Sequence, residues 1–169
     1  MFSALAPVIF VKSASSKDPI AASLKIQKLM RVMFCLLLSV SIVLYFTIDY
    51  VIMLMYGSKF LPSADVTRVM LFGIVFYNVF LVLNMDMAGK GKPWLAIYTL
   101  LPVSILNYSL NYFFIRDIGT SGAAIITSSS MALASLIYLF MYSRELKVNV
   151  FTIIKPRKSD WDFISKILK

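Results

Sequence analysis

Residues 32–55 read VMFCLLLSVSIVLYFTIDYVIMLM, an apolar run whose single charge is Asp49. At about 1.5 Å per residue such a helix crosses the roughly 30 Å of a bilayer's hydrocarbon core. A helix on the surface of a soluble bundle would keep a polar stripe. Leu36–Leu38 and Ile42–Phe46 are apolar on every side, so no stripe is left. Three further runs follow, Val66–Met85, Pro93–Ile115 and Gly122–Ser143, each about the length of a membrane crossing. The chain is 60% hydrophobic with a mean hydropathy of +0.83. A soluble domain sits near 45–50% apolar, so composition supports the same reading.

The basic residues set the orientation. Lys12, Lys17, Lys25, Lys28 and Arg31 precede the first run, and Lys90 with Lys92 lies between the second and third. Arg144, Lys147, Lys155, Arg157, Lys158, Lys166 and Lys169 follow the fourth. The opposite side holds only Lys59, Arg68 and Arg116 of the 17 Lys and Arg. Basic loops stay in the cytoplasm, so both ends of the chain are placed inside. The expectation is an all-α integral membrane helical bundle of about four transmembrane helices, in a cell (inner or plasma) membrane. Residues 146–169 form a basic cytoplasmic tail.

The net charge of +9 is concentrated beside the spans, where it sets topology and meets anionic lipid. That accounts for it without nucleic acid. Cys35 is the single cysteine and there is no histidine. This leaves no disulfide framework, no Cys-based metal site, and neither the usual metal ligand nor the commonest general base. With no phosphate loop or nucleophile elbow either, the chain is not read as an enzyme, and no cofactor is expected.

The connectors carry recognisable stops and starts. Asp18-Pro19 forms a helix start, Asp as N-cap and Pro at the first position. Lys12–Arg31 becomes amphipathic, able to lie against headgroups. Tyr56-Gly57 ends the first span, Asp86–Lys92 makes a tight basic turn, and Pro93 opens the third span. Pro102 is expected to kink that span or free a carbonyl. Arg116–Ser121 is expected to be an external turn. Met1–Val11 has no basic n-region and is too short to cross, so it reads as the end of a preceding helix. Trp161–Lys169 could form a short amphipathic helix.

Polar side chains within spans usually meet a partner helix or a water-filled cavity. Ser104, Asn107 and Asn111 share one face of the third span, and Gly73, Tyr77 and Asn84 a face of the second. Two readings are open: a polar cavity able to bond sugar hydroxyls or phosphate, or hydrogen bonds that join the bundle. Arg68 could attract an anionic headgroup or pyrophosphate, pair with Asp49 or Asp65, or snorkel to water. Arg68, Asn84, Asn107 and Asn111 are the candidates for a substrate cavity. Ala124, Ser128 and Ala132 form a small-residue packing face.

The order of several motifs resembles a known family. Ser3-Ala4-Leu5-Ala6-Pro7, a basic connector, and a helix ending in Tyr56-Gly57-Ser58-Lys59-Phe60 are similar to the C-terminal half of polysaccharide flippases. These are the O-antigen and polysaccharide exporters of the multidrug/oligosaccharidyl-lipid/polysaccharide superfamily. The likeness continues at Ala88-Gly89-Lys90-Gly91-Lys92, at Asn107-Tyr108-Ser109-Leu110-Asn111, and at Ile118-Gly119-Thr120-Ser121-Gly122-Ala123-Ala124. It covers about residues 1–145. The resemblance implies one part of a two-lobed transporter that flips a lipid-linked oligosaccharide, of the polyprenyl-pyrophosphate type, by alternating access. It implies an amino-terminal lobe supplied outside this chain. Alternatives are a multidrug exporter of the same superfamily, a small four-span interaction protein, or a non-functional fragment.

Overall fold

A computed structural model describes residues 9–11, 13–15 and 18–155. Among them the fold is all-α. Helix α1 spans Pro19–Tyr56, α2 Ser63–Gly89, α3 Trp94–Leu146 and the short α4 Val150–Ile154, with a 3-10 turn at Ser58–Phe60. Residues 9–11 and 13–14 are also helical. Of the helix end expected at Met1–Val11, only residues 9–11 are described, and the expected helix at Trp161–Lys169 lies outside the described residues. Three helices, α1, α2 and α3, are long and apolar enough to cross a membrane.

The caps explain the boundaries. Asp18 accepts hydrogen bonds from Ile20 N (3.0 Å) and Ala21 N (3.1 Å), with Pro19 in the first turn where its missing N–H costs nothing. This start lies well before residue 32, so the amphipathic connector and the first apolar run are one helix of 38 residues. No breaker separates them, since Ala, Leu, Lys, Gln and Met in 20–31 are good helix formers. Gly57 (φ +83°) closes α1, its N–H bonded to Met53 O.

The third and fourth apolar runs fall within α3, 53 residues interrupted at Gly119. Gly119 has φ +62° and ψ −163°, a conformation open essentially to glycine alone. Pairs across this point show that the two limbs run back along one another. Asn107 meets Ser130, Thr99 meets Met141 and Lys92 meets Glu145, all centred near residue 119. Arg116–Ser121 is thus helical apart from Gly119, a tighter reversal than a loop. Pro102 lies within the helical first limb, and the only non-helical residue inside α3 is Gly119.

The main core gathers at the basic end. Ile26 and Met30 of α1, Phe80 and Leu83 of α2, and Tyr138 and Tyr142 of α3 are all buried there. Phe80 meets Tyr138 edge to face, at 4.9 Å between ring centres. A smaller cluster of Ile48, Ile52 and Ala64 closes the far end of α1 on α2. The middle of α1 exposes Leu36, Val43 and Phe46. An exposed apolar band of that kind is what a bilayer would cover. α2 and α3 approach closely at Gly73, where an added Cβ would stand 2.7 Å from Ser128 Cα. Ser128 in turn donates to Val69 O at 2.7 Å, replacing side-chain bulk with a short hydrogen bond between helices.

Candidate functional site

Two polar groupings interrupt the apolar packing. The first lies part-way along the two limbs of α3. Asn107 donates through Nδ2 to Ser130 Oγ at 3.1 Å, and Ser130 donates to Ile126 O at 2.8 Å. Beside them is an open cavity of about 210 Å³, with Tyr77, Ser104, Asn107, Thr127 and Ser130 on its walls. The 3.6-residue period brings Ser104 and Asn107 to one face, as expected. Asn111 lies one turn on. Its amide donates to Asn107 O at 2.9 Å, on its own helix, and it is not among the residues lining the cavity.

The other two candidates sit elsewhere. Asn84 accepts from Tyr138 Oη at 3.3 Å, toward the basic end. Arg68 lies at the far end of the bundle and pairs with Asp49 of α1 and with Asp65, at 2.8 Å to the latter. It also donates to Tyr45 O at 3.3 Å and stands over the Tyr45 ring. Both carboxylates offered as partners by the sequence are therefore engaged. The four candidates do not form one site. Asn107 faces the cavity, while Arg68, Asn84 and Asn111 have local partners.

The second grouping centres on Asp86, which the sequence reading placed only at the start of the Asp86–Lys92 turn. Its carboxylate is fully buried, at 0% exposure. Ser13 donates to Oδ1 at 2.5 Å, Ser23 to Oδ2 at 2.7 Å and Tyr142 to Oδ2 at 2.6 Å. Lys90, one turn along α2, completes the set at 3.0 Å and also donates to Ser23. The donors come from the 9–15 stretch, α1, α2 and α3, so one carboxylate ties four segments together. Gly89 makes the arrangement possible, because a Cβ there would meet Phe10 O and Ser13 Cβ at 2.7 Å. The usable signal in sequence was Asp86 followed by Lys90 at i+4, in an otherwise apolar helix.

The cavity offers amide and hydroxyl groups, which exchange hydrogen bonds with neutral polar ligands. The Asp86 cluster is enclosed and charge-balanced by Lys90, which suits joining helices. Comparison of the chain with protein-family models, with curated proteins and with solved structures finds no match in any of the three.

Proposed function

We propose that the chain is a four-crossing membrane segment of a polysaccharide flippase, exporting lipid-linked oligosaccharide as part of a larger two-lobed transporter. Its ends lie in the cytoplasm and the Gly119 reversal faces outward. The observation that carries this reading is the polar cavity beside Asn107 and Ser130. Amides and hydroxyls at that depth are costly against lipid and suit a water-filled path. Neutral hydrogen-bonding groups fit sugar hydroxyls, and the motif resemblance supplies the substrate class. Asn107 and Ser104 would trade weak contacts with the glycan as the lobes rock, while Asn84 and Arg68 would join neighbouring helices away from the cavity and Asn111 would bond its own helix.

The test is flipping of a fluorescent lipid-linked oligosaccharide in cells or proteoliposomes containing the assembled transporter. Asn107→Leu should abolish export at unchanged membrane levels. Export at the wild-type rate would return Asn107 to a packing role. One observation favours that second reading: the Asn107 amide already bonds Ser130 on the opposing limb. A four-span interaction protein would use the same bond only to join its helices.

A further inference from the structure

The chain turns back on itself after α3. Lys147 takes a left-handed conformation (φ +54°), and the Val148 N–H bonds Ser143 O at 3.0 Å, which closes the helix and redirects the backbone. Val148 and Val150 then pack on the main core, and Ile153 is fully buried in it. Ile154 shares the wall of an apolar cavity of about 240 Å³ with Met30 and Phe34 of α1 and Leu139 of α3. Leu139 stands seven residues before the end of α3 at Leu146, about 10 Å along the helix. The short α4 therefore lies beside the last turns of α3 and not beyond them.

Two large apolar side chains of α4 are left out of this packing: Phe151 is 79% exposed and Ile154 48%. Depth decides which medium meets them. The Lys92–Glu145 pair, at 2.5 Å, sets the start of one limb of α3 beside the end of the other. Trp94 and Tyr98 are thereby level with the last turns of α3, and both are exposed. Exposed Trp and Tyr gather where acyl chains meet headgroups. On α1 the wholly apolar run begins at residue 32, between the Met30 and Phe34 that share a cavity with Ile154. Both markers put α4 at the edge of the hydrocarbon.

The backbone of α4 suits a place where water is scarce, since polar groups there must find partners within the protein. The Asn149 side chain accepts from the Phe151 N–H at 3.0 Å, and Asn149 O from the Thr152 N–H at 2.9 Å. The Lys155 N–H bonds Phe151 O at 2.9 Å. The Ile153 carbonyl accepts from Arg31 at 2.9 Å, which also ties the turn to α1. One side of α4 is thus fixed to the bundle, and the other presents carbon outward.

We propose that α4 is an interfacial anchor, with Phe151 and Ile154 entering the boundary between headgroups and acyl chains while Ile153 holds the turn to the bundle. The partner is the bilayer surface itself, with no particular headgroup required. The inference rests on α1, α2 and α3 lying in a membrane, and is independent of what the transporter carries. The anchor would fix the depth at which α3 leaves the bilayer.

Tryptophan fluorescence of the full chain in phosphatidylcholine vesicles tests it. Phe151→Trp is made in a chain carrying Trp94→Phe and Trp161→Phe, which removes both native tryptophans. Interfacial helices bury their apolar side about 5–10 Å into the boundary. Phosphatidylcholine brominated near the headgroup end of its chains should therefore cut the emission about twofold or more. Phosphatidylcholine brominated near the chain ends, and iodide in the water, should each quench it less. Ile154→Trp in the same background should rank the three quenchers in the same order, which covers the case of a misfolded Phe151→Trp. A chain with Trp161→Phe alone keeps Trp94, whose quenching by brominated lipid reports separately that the helices lie in the bilayer. With Trp94 so quenched, strongest quenching of position 151 by iodide would place α4 in water, and no response to any quencher would mean that a protein surface covers it. Either result would overturn the proposal, as would strongest quenching by the chain-end bromines. No lipid quenching at Trp94 would overturn the membrane reading and the proposal with it. Loss or retention of flipping in Asn107→Leu leaves these outcomes untouched, which keeps the two readings separable.

Discussion

Replacing Asp86 by Ala should cost more stability than any other single polar deletion in the bundle. The substitution removes the carboxylate that accepts from three hydroxyls, on Ser13, Ser23 and Tyr142, and that pairs with the Lys90 ammonium; Ser13 keeps only the Asp86 carbonyl at 3.1 Å and Lys90 only Ser23. Interhelical hydrogen bonds in membranes average about 0.6 kcal/mol, so the hydroxyls together account for about 2 kcal/mol. The ammonium decides the total. The Lys90 side chain is only 12% exposed and Asp86 is not exposed at all. Breaking such a pair from one side typically costs about 3–5 kcal/mol. The net expectation is a loss of about 3–5 kcal/mol for Asp86→Ala. The assay is reversible unfolding in mixed micelles, titrated with SDS and followed by circular dichroism. The companion variant is Lys90→Met, alone and combined with Asp86→Ala. Removing both charges should recover at least about 1.5 kcal/mol relative to the sum of the single effects. A loss under about 1 kcal/mol for Asp86→Ala, or strict additivity of the pair, would refute the idea that the carboxylate holds the four segments together.

Three further outcomes follow from other contacts. Gly119→Ala should destabilise by about 1–3 kcal/mol from backbone strain alone, since its Cβ would meet nothing within 4 Å; Gly119→Asn, measured in the same unfolding titration, should cost about as much, because at ψ −163° the conformation lies outside the left-handed helical region that Asn tolerates. Gly73→Ala should cost a similar amount, about 1–3 kcal/mol, by the opposite route: ordinary helical backbone but a Cβ 2.7 Å from Ser128 Cα, forcing α2 and α3 apart. A cysteine crosslinking distance between the two helices should lengthen in that variant and stay unchanged in Gly119→Ala. Asn107→Leu should cost only about 0.6 kcal/mol in the unfolding titration, because Ser130 keeps its bond to Ile126 O, so any large loss of export in that variant reports on the cavity and not on folding.

What could be read from residues alone was decided by how local the cause is. The Asp18-Pro19 start and the Gly57 stop depend on a few neighbouring atoms, and both stand where the sequence places them. The apolar runs lie in helices for the same reason. The length of α1 was not legible as one element, because a switch from amphipathic to wholly apolar at residue 32 looks like a boundary, although nothing there breaks a helix. The Gly119 reversal was visible as a turn, but its tightness depends on contacts between limbs 23 to 53 residues apart. Of the candidate site, Ser104, Asn107 and Tyr77 share a cavity because helical spacing and one crossing suffice to bring them together. Asn111 was misplaced by the same spacing, since a side chain one turn on can bond its own backbone instead. The role of Asp86 was not legible because its partners come from four segments, and no window of sequence contains Ser13, Ser23 and Tyr142 together.

The central claim is that the chain crosses a membrane four times, folding back outside at Gly119. Single cysteines at Lys59 and Thr120, placed in a Cys35→Ser background, should react with a membrane-impermeant maleimide applied to intact cells. Cysteines at Lys25 and Arg144 should react only after the membrane is opened. Thr120 decides the matter, because it lies one residue past the reversal and is exposed. Labelling of Lys59 and Thr120 from outside, with Lys25 and Arg144 protected, is the predicted result. Protection of Thr120, or labelling of Arg144 from outside, would mean that the two limbs of α3 do not each cross, and the four-crossing account would be wrong.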